Sequence, residues 1–164
     1  MGSDFIDTGW SKDLETGIEV LDEQHHKYFD LLGDHLAKVA ESSTTTEKLL
    51  DIAETFNFLR QYAKEHFSTE EEVMQKSGYP DSELHIEEHQ YFLKHVEELY
   101  DLMRTQGYSP KLAREINYYT IEWFIEHIRI TDMKLVNFLE QKSTEDKEIK
   151  PFLKIIYQSL FGKT

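Results

Sequence analysis

Residues 112–139 read LAREINYYTIEWFIEHIRITDMKLVNFL. Leu112, Ile116, Tyr119, Trp123 and His127 recur at helical spacing, so they read as one face of a helix. The next inward candidates are Asp132, Leu135 and Leu139, and reaching Asp132 takes a step of five. Side chains five apart on an ideal α-helix diverge by about 140°. His127 and Asp132 therefore share a face only if the helix slips by one residue. Such a slip is a π-type turn, a feature that often marks functional sites. The stretch predicts a long helix over about Pro110 to Gln141, with Ser109 as N-cap and Pro110 at the first helical position. It places a histidine and an aspartate where a plain helix would present leucine.

Three more helical patterns precede it. The first, about Ile18 to Glu41, aligns Ile18, Leu21, His25, Phe29, Leu32, Leu36 and Val39. The second, about Glu47 to Lys76, aligns Leu49, Ile52, Phe56, Leu59, Ala63, His66, Glu70 and Val73. Thr44 and Glu47 have capping-box spacing at its start, and Gly78 with Pro80 stops it. The third, about Ser82 to Gln106, aligns His85, His89, Phe92, Val96, Leu99 and Met103, is capped by Asp81 or Ser82 and is closed by Gly107. No strand-like alternation is present. Four helices with short connections predict an all-α, up-down-up-down antiparallel four-helix bundle. The chain divides into an N-terminal arm (1–17), the bundle (18–141) and a C-terminal extension (142–164). In the extension a charged break leads to a short helical segment opened by Pro151, with Phe152, Ile155, Ile156 and Leu160 on one side. That segment is expected to dock on the end of the bundle, the other reading being a linker or contact surface toward a partner or downstream signalling domain.

Composition narrows the function. The chain has 164 residues and no cysteine, which excludes disulfides, thiolate metal sites and a cysteine nucleophile. A formal charge of −14 disfavours nucleic acid and anionic membrane as partners. No apolar run is long enough to span a bilayer, and no secretory signal is visible, so a cytoplasmic location is expected.

Seven polar residues occupy the apolar stripes: His25, His66, Glu70, His85, His89, His127 and Asp132. His66 with Glu70, and His85 with His89, are spaced so that each pair projects from one face. Burying two ionised carboxylates without cations is very costly, and no Lys or Arg lies on these stripes at that level. A metal centre resolves the cost. Seven side chains exceed one octahedral ion, and imidazole with carboxylate suits iron or manganese better than closed tetrahedral zinc. Two octahedral ions sharing both carboxylates and one solvent-derived oxygen would leave one position open for a small ligand. His26 is expected to point outward, and His35 and His95 fall outside the motifs. Apart from Glu70, the run Glu70-Glu71-Glu72 reads as a solvated face.

The segments Asp22-Glu23-Gln24-His25, His66-Phe67-Ser68-Thr69-Glu70-Glu71, His85-Ile86-Glu87-Glu88-His89 and His127-Ile128-Arg129-Ile130-Thr131-Asp132 resemble the ligand signature of hemerythrins, particularly bacterial ones. Trp10 and the Gly17-Ile18 entry to the first helix are also similar. The resemblance covers about Gly9 to Glu140, so the extension departs from the family pattern. It implies two iron ions bridged by an oxo or hydroxo group, with dioxygen as reversible ligand. It implies that His85, His89 and His127 hold the saturated ion, that His25 and His66 hold the ion with the open position, and that Glu70 and Asp132 bridge. Leu21, Ile121, Trp123 and Phe124 are candidate pocket walls.

Three functions compete: dioxygen storage or delivery, oxygen or redox sensing through the C-terminal segment, and di-iron catalysis. A carboxylate-rich di-iron oxidase expects two Glu-x-x-His motifs. Here only Glu23–His26 has that spacing. A peroxide- or nitric-oxide-reducing hemerythrin remains the enzymatic alternative. His-rich ligation with one open position favours a binding protein, and no catalytic residue is expected.

Overall fold

The computed structural model describes residues 9–145 and 149–161. Among them the architecture is all-helical: a 3-10 turn at Lys12–Leu14, then α1 (Glu19–Glu41), α2 (Thr45–Ser77) and α3 (Ser82–Gln106). The fourth helix, α4, is composite. Its α-helical parts Pro110–Asn117, Trp123–His127 and Met133–Glu145 are joined by π turns at Tyr118–Glu122 and Ile128–Asp132. A C-terminal helix, α5, spans Ile149–Phe161.

Local chemistry sets the boundaries. Before α1, the Asp22 carboxylate accepts the backbone N–H groups of Thr16 and Gly17 and the Thr16 hydroxyl, which folds the arm onto the helix start. The Thr44–Glu47 capping box forms in both directions and satisfies N–H groups that the first turn of α2 leaves free, each cap being worth about 1 kcal/mol. Gly78 ends α2 in the left-handed region at φ 67°, where a side chain would strain the backbone. Ser109 accepts the Leu112 N–H to open α4. Asp81 precedes α3 without a side-chain cap hydrogen bond, so that expected cap is not made.

Short connections turn each helix back along its predecessor, giving the four-helix bundle. α1 closes on α4: the Tyr28 hydroxyl donates to the Thr120 carbonyl at 2.7 Å, and the Tyr28 and Phe124 rings stack with centroids 4.2 Å apart. One large core holds Tyr28, Phe29, Phe56, Phe92 and Phe124. A second, smaller core holds Val20, Leu21, Val73, Met74, Leu135 and Leu139.

Two details of α4 and α5 differ from the expectation. The π turn between His127 and Asp132 is present, but a second one lies upstream. Thr120 and Phe124 are fully buried, whereas Tyr119 and Trp123 are only half-buried. The inward face thus passes from Ile116 to Thr120 and Ile121, then to Phe124. The regular spacing of Tyr119 and Trp123 mimicked an unbroken stripe and hid this slip. α5 begins at Ile149, inside the expected break, and α4 runs on to Glu145. Ile149 is buried in the smaller core, with Phe152 and Leu153 packed beside it, so the segment docks on the bundle. Ile155 is exposed rather than inward. The side chains of Ile156 and Leu160 lie outside the described residues.

Candidate metal centre

Between the two cores, α1 contributes His25, α2 His66 and Glu70, α3 His85 and His89, and α4 His127 and Asp132. The structure brings all seven together, each essentially removed from solvent. The downstream π turn of α4 rotates Asp132 onto the face of His127, whose Nε2 lies 3.1 Å from Asp132 Oδ1. His26 points away and is half-exposed, 3.9 Å from Glu15. His35 stacks on Phe58 and His95 on Tyr119, and neither belongs to the cluster.

All five imidazoles turn Nε2 inward. Glu70 Oε1 faces His66 at 3.6 Å, while its Oε2 faces His85 at 3.4 Å and His89 at 3.0 Å. Asp132 Oδ2 faces His25 at 3.4 Å, while its Oδ1 faces His85 at 3.2 Å and His127 at 3.1 Å. Each carboxylate therefore puts one oxygen toward a three-histidine half and one toward a two-histidine half. Among the described residues, two groups are close enough to hold a cation: Glu70, His85, His89 and His127, and His25, His66, Glu70 and Asp132.

The outer edges of the rings are also engaged. His66 Nδ1 donates to Gln24 Oε1 at 3.0 Å, His89 Nδ1 to Glu71 Oε1 at 3.3 Å, and His127 Nδ1 to Glu88 Oε2 at 2.9 Å. Gln24 is held in turn by Thr69, and Glu88 by the Thr131 hydroxyl at 2.8 Å. These supports were missed in the sequence, where Glu71 reads as part of a solvated face. Gln24, Glu71 and Glu88 each neighbour a cluster residue in sequence, but each serves a histidine on another helix. No one-helix pattern reveals that.

This arrangement suits a cation. A neutral histidine that donates through Nδ1 carries its lone pair on Nε2. The Nε2 atoms of His89 and His127 lie 3.2 Å apart, as do those of His25 and His66. Ring nitrogens and carboxylate oxygens converge on the same points, and among the described residues none of the four oxygens of Glu70 and Asp132 has a hydrogen-bond partner. Two donors about 2.1 Å from one ion and at right angles to each other lie about 3.0 Å apart. The contacts above match that spacing.

Electrostatics divide the halves. Burial alone favours neutral rings, and it takes His66 down to about 3. Burial opposes protonation of His85 and His127 too, but the adjoining carboxylates outweigh it and raise them to about 9 and about 10. Burial works against the charged forms of Glu70 and Asp132 as well, yet the surrounding imidazoles hold both below the usual carboxylate range. Protons on His85 and His127 balance the two carboxylates, and metal binding would displace them.

Aromatic rings enclose the site. Phe67 stacks on His89 with centroids 3.9 Å apart, and Trp123 on His127 at 4.7 Å. Trp123 therefore borders the three-histidine half. The two-histidine half meets Phe124, 6.0 Å from His25 and 5.6 Å from His66, and Trp10, 6.4 Å from His25.

Fold and donor set define a helical-bundle protein with adjoining sites for cations. The Hemerythrin HHE cation binding domain family matches residues 16–139, and the chain belongs to that family. A bacteriohemerythrin of Stenotrophomonas maltophilia is 33% identical over 123 residues, 75% of either chain. A bacteriohemerythrin of Pseudomonas aeruginosa is 29% identical over 156 residues, covering 93% of this chain and 97% of its own. A myohemerythrin of Theromyzon tessulatum is 29% identical over 76% of this chain and 88% of its own. The family model stops short of the extension, whereas the P. aeruginosa alignment leaves fewer residues outside than the extension contains and so reaches into it. No solved structure gives a significant match.

Proposed function

We propose that this chain binds dioxygen reversibly at a di-iron centre, for storage or delivery. His85, His89 and His127 would hold one ion and His25 and His66 the other, with Glu70 and Asp132 placed to serve both. The observation that carries this reading is the pair of buried carboxylates, each directing one oxygen to each half, and among the described residues none of the four oxygens meets a hydrogen-bond partner. The iron pair, when bound, supplies the electrons that dioxygen binding requires.

The chain's residues hold the ligands and keep water out. Outward Nδ1 hydrogen bonds fix the tautomers of His66, His89 and His127, so that Nε2 is the donor atom. Phe124 and Trp10 cover the His25–His66 side with apolar surface, and excluding water there suppresses loss of a bound oxidant to side reactions. Residues 18–141 form the functional unit, flanked by the arm and the extension.

A second reading is sensing. It is favoured by the packing of α5 in one cluster with Leu135 and Leu139, which follow Asp132 on α4. The discriminating experiment is elemental analysis with absorption spectra of the reduced protein through cycles of air and its removal. About two irons per chain and a charge-transfer band that comes and goes with dioxygen are expected. Irreversible oxidation would move the weight to redox sensing or reduction, and absence of iron would overturn the centre. Truncation after Lys147 is expected to spare dioxygen binding.

A further inference from the structure

The outward supports follow a rule. Gln24 on α1 holds His66 on α2, Glu71 on α2 holds His89 on α3, and Glu88 on α3 holds His127 on α4. Each helix steadies a histidine of the next, and the relay stops before returning to α1. Among the described residues His25 Nδ1 has no hydrogen-bond partner. The chemistry changes along the relay. In the two-histidine half the acceptor is a neutral amide or nothing. In the three-histidine half two acceptors are carboxylates, and only His85 Nδ1 lacks one, beside a surface cleft of about 370 Å³.

A carboxylate accepting from Nδ1 draws the ring toward imidazolate and makes Nε2 a stronger donor than an amide acceptor does. Stronger donation favours the more highly charged ion. Resting on the di-iron reading, we infer that Glu71 and Glu88 are positioning residues that make the His85–His89–His127 half the electron-rich half of the centre and set its reduction potential. Neutral Gln24 and unsupported His25 leave the other half electron-poor. The π turn is part of the device, since Thr131 within it fixes the Glu88 carboxylate that serves His127 at 2.9 Å.

The test uses the full chain loaded with iron. Iron per chain is measured first by elemental analysis, and the midpoint potential then by spectroelectrochemistry. Glu71 and Glu88 are 40% and 47% exposed, so Glu71→Gln and Glu88→Gln preserve size without disturbing the core. Each is expected to keep two irons while favouring the ferrous form about tenfold. That is a rise of about 59 mV for a one-electron couple. Thr131→Val keeps the charge but loosens Glu88, and a smaller rise is expected. Gln24→Glu is expected to lower the potential. Glu72→Gln removes the same charge from an exposed neighbour that bonds no histidine, and no shift is expected. Potentials unchanged in Glu71→Gln and Glu88→Gln with both irons retained would overturn the inference, as would an equal shift in Glu72→Gln. A wild-type chain without iron would instead bring down the di-iron reading beneath it.

Discussion

The three-histidine and two-histidine halves are built from the same residue types and share both carboxylates, yet they are braced differently. His89 and His127 are each clamped by a carboxylate at the edge and an aromatic face, Phe67 or Trp123. His25 lacks an edge partner, and His66 has only an amide. Phe124 meets both rings at a distance and does not stack on either. One half meets carboxylates at two of its ring edges, whereas the other meets a single neutral amide.

The hardest test of that division is the element the halves share. Asp132→Ala removes one oxygen from each, so iron content is expected to fall from about two per chain to near none. Retention of one ion by elemental analysis would show that the halves are not joined through Asp132. Phe124→Ala is next. It removes a fully buried ring from the core, at a cost of about 3–5 kcal/mol. Unfolding in urea should show that loss, and dioxygen release should become irreversible as water enters the His25–His66 side. Unchanged reversibility would mean that this ring does not wall the pocket. His66→Ala is expected to leave about one iron per chain, held by the other half, and full occupancy there would dissolve the distinction.

A gentler comparison uses pH. In protein stripped of metal, His85 and His127 stay protonated up to about 9 and about 10, above the unfolded value of about 6.5. Groups raised in this way contribute stability that is complete below the unfolded value and disappears as pH rises through the folded one. Thermal midpoints of the stripped protein should therefore fall between about pH 6.5 and 10. His66, lowered to about 3, adds nothing to that decline and opposes folding only on the acid side of 6.5. The loaded protein should be flat over the alkaline window, because cations replace the protons. The smallest effect expected is that of His26→Ala: its side chain is 45% exposed and outside both halves, so iron content should be unchanged.

Sequence by itself determined the four helices and the inward position of all seven cluster residues. Periodicity needs only the chain's own spacing, and a buried carboxylate is conspicuous wherever it falls on an apolar stripe. It even announced the π turn before Asp132, because His127 and Asp132 could share a face in no other way. What only the tertiary structure decided lies between helices. The upstream π turn escaped notice because Tyr119 and Trp123 offered an equally regular stripe, and burial of Thr120 and Phe124 against α1 chose the other one. The docking of α5 likewise depended on apolar surface left open by Leu135 and Leu139. The supports Gln24, Glu71 and Glu88 were invisible for the same reason. Each looks like an ordinary surface polar residue on its own helix, and it gains a partner only when the next helix packs against it.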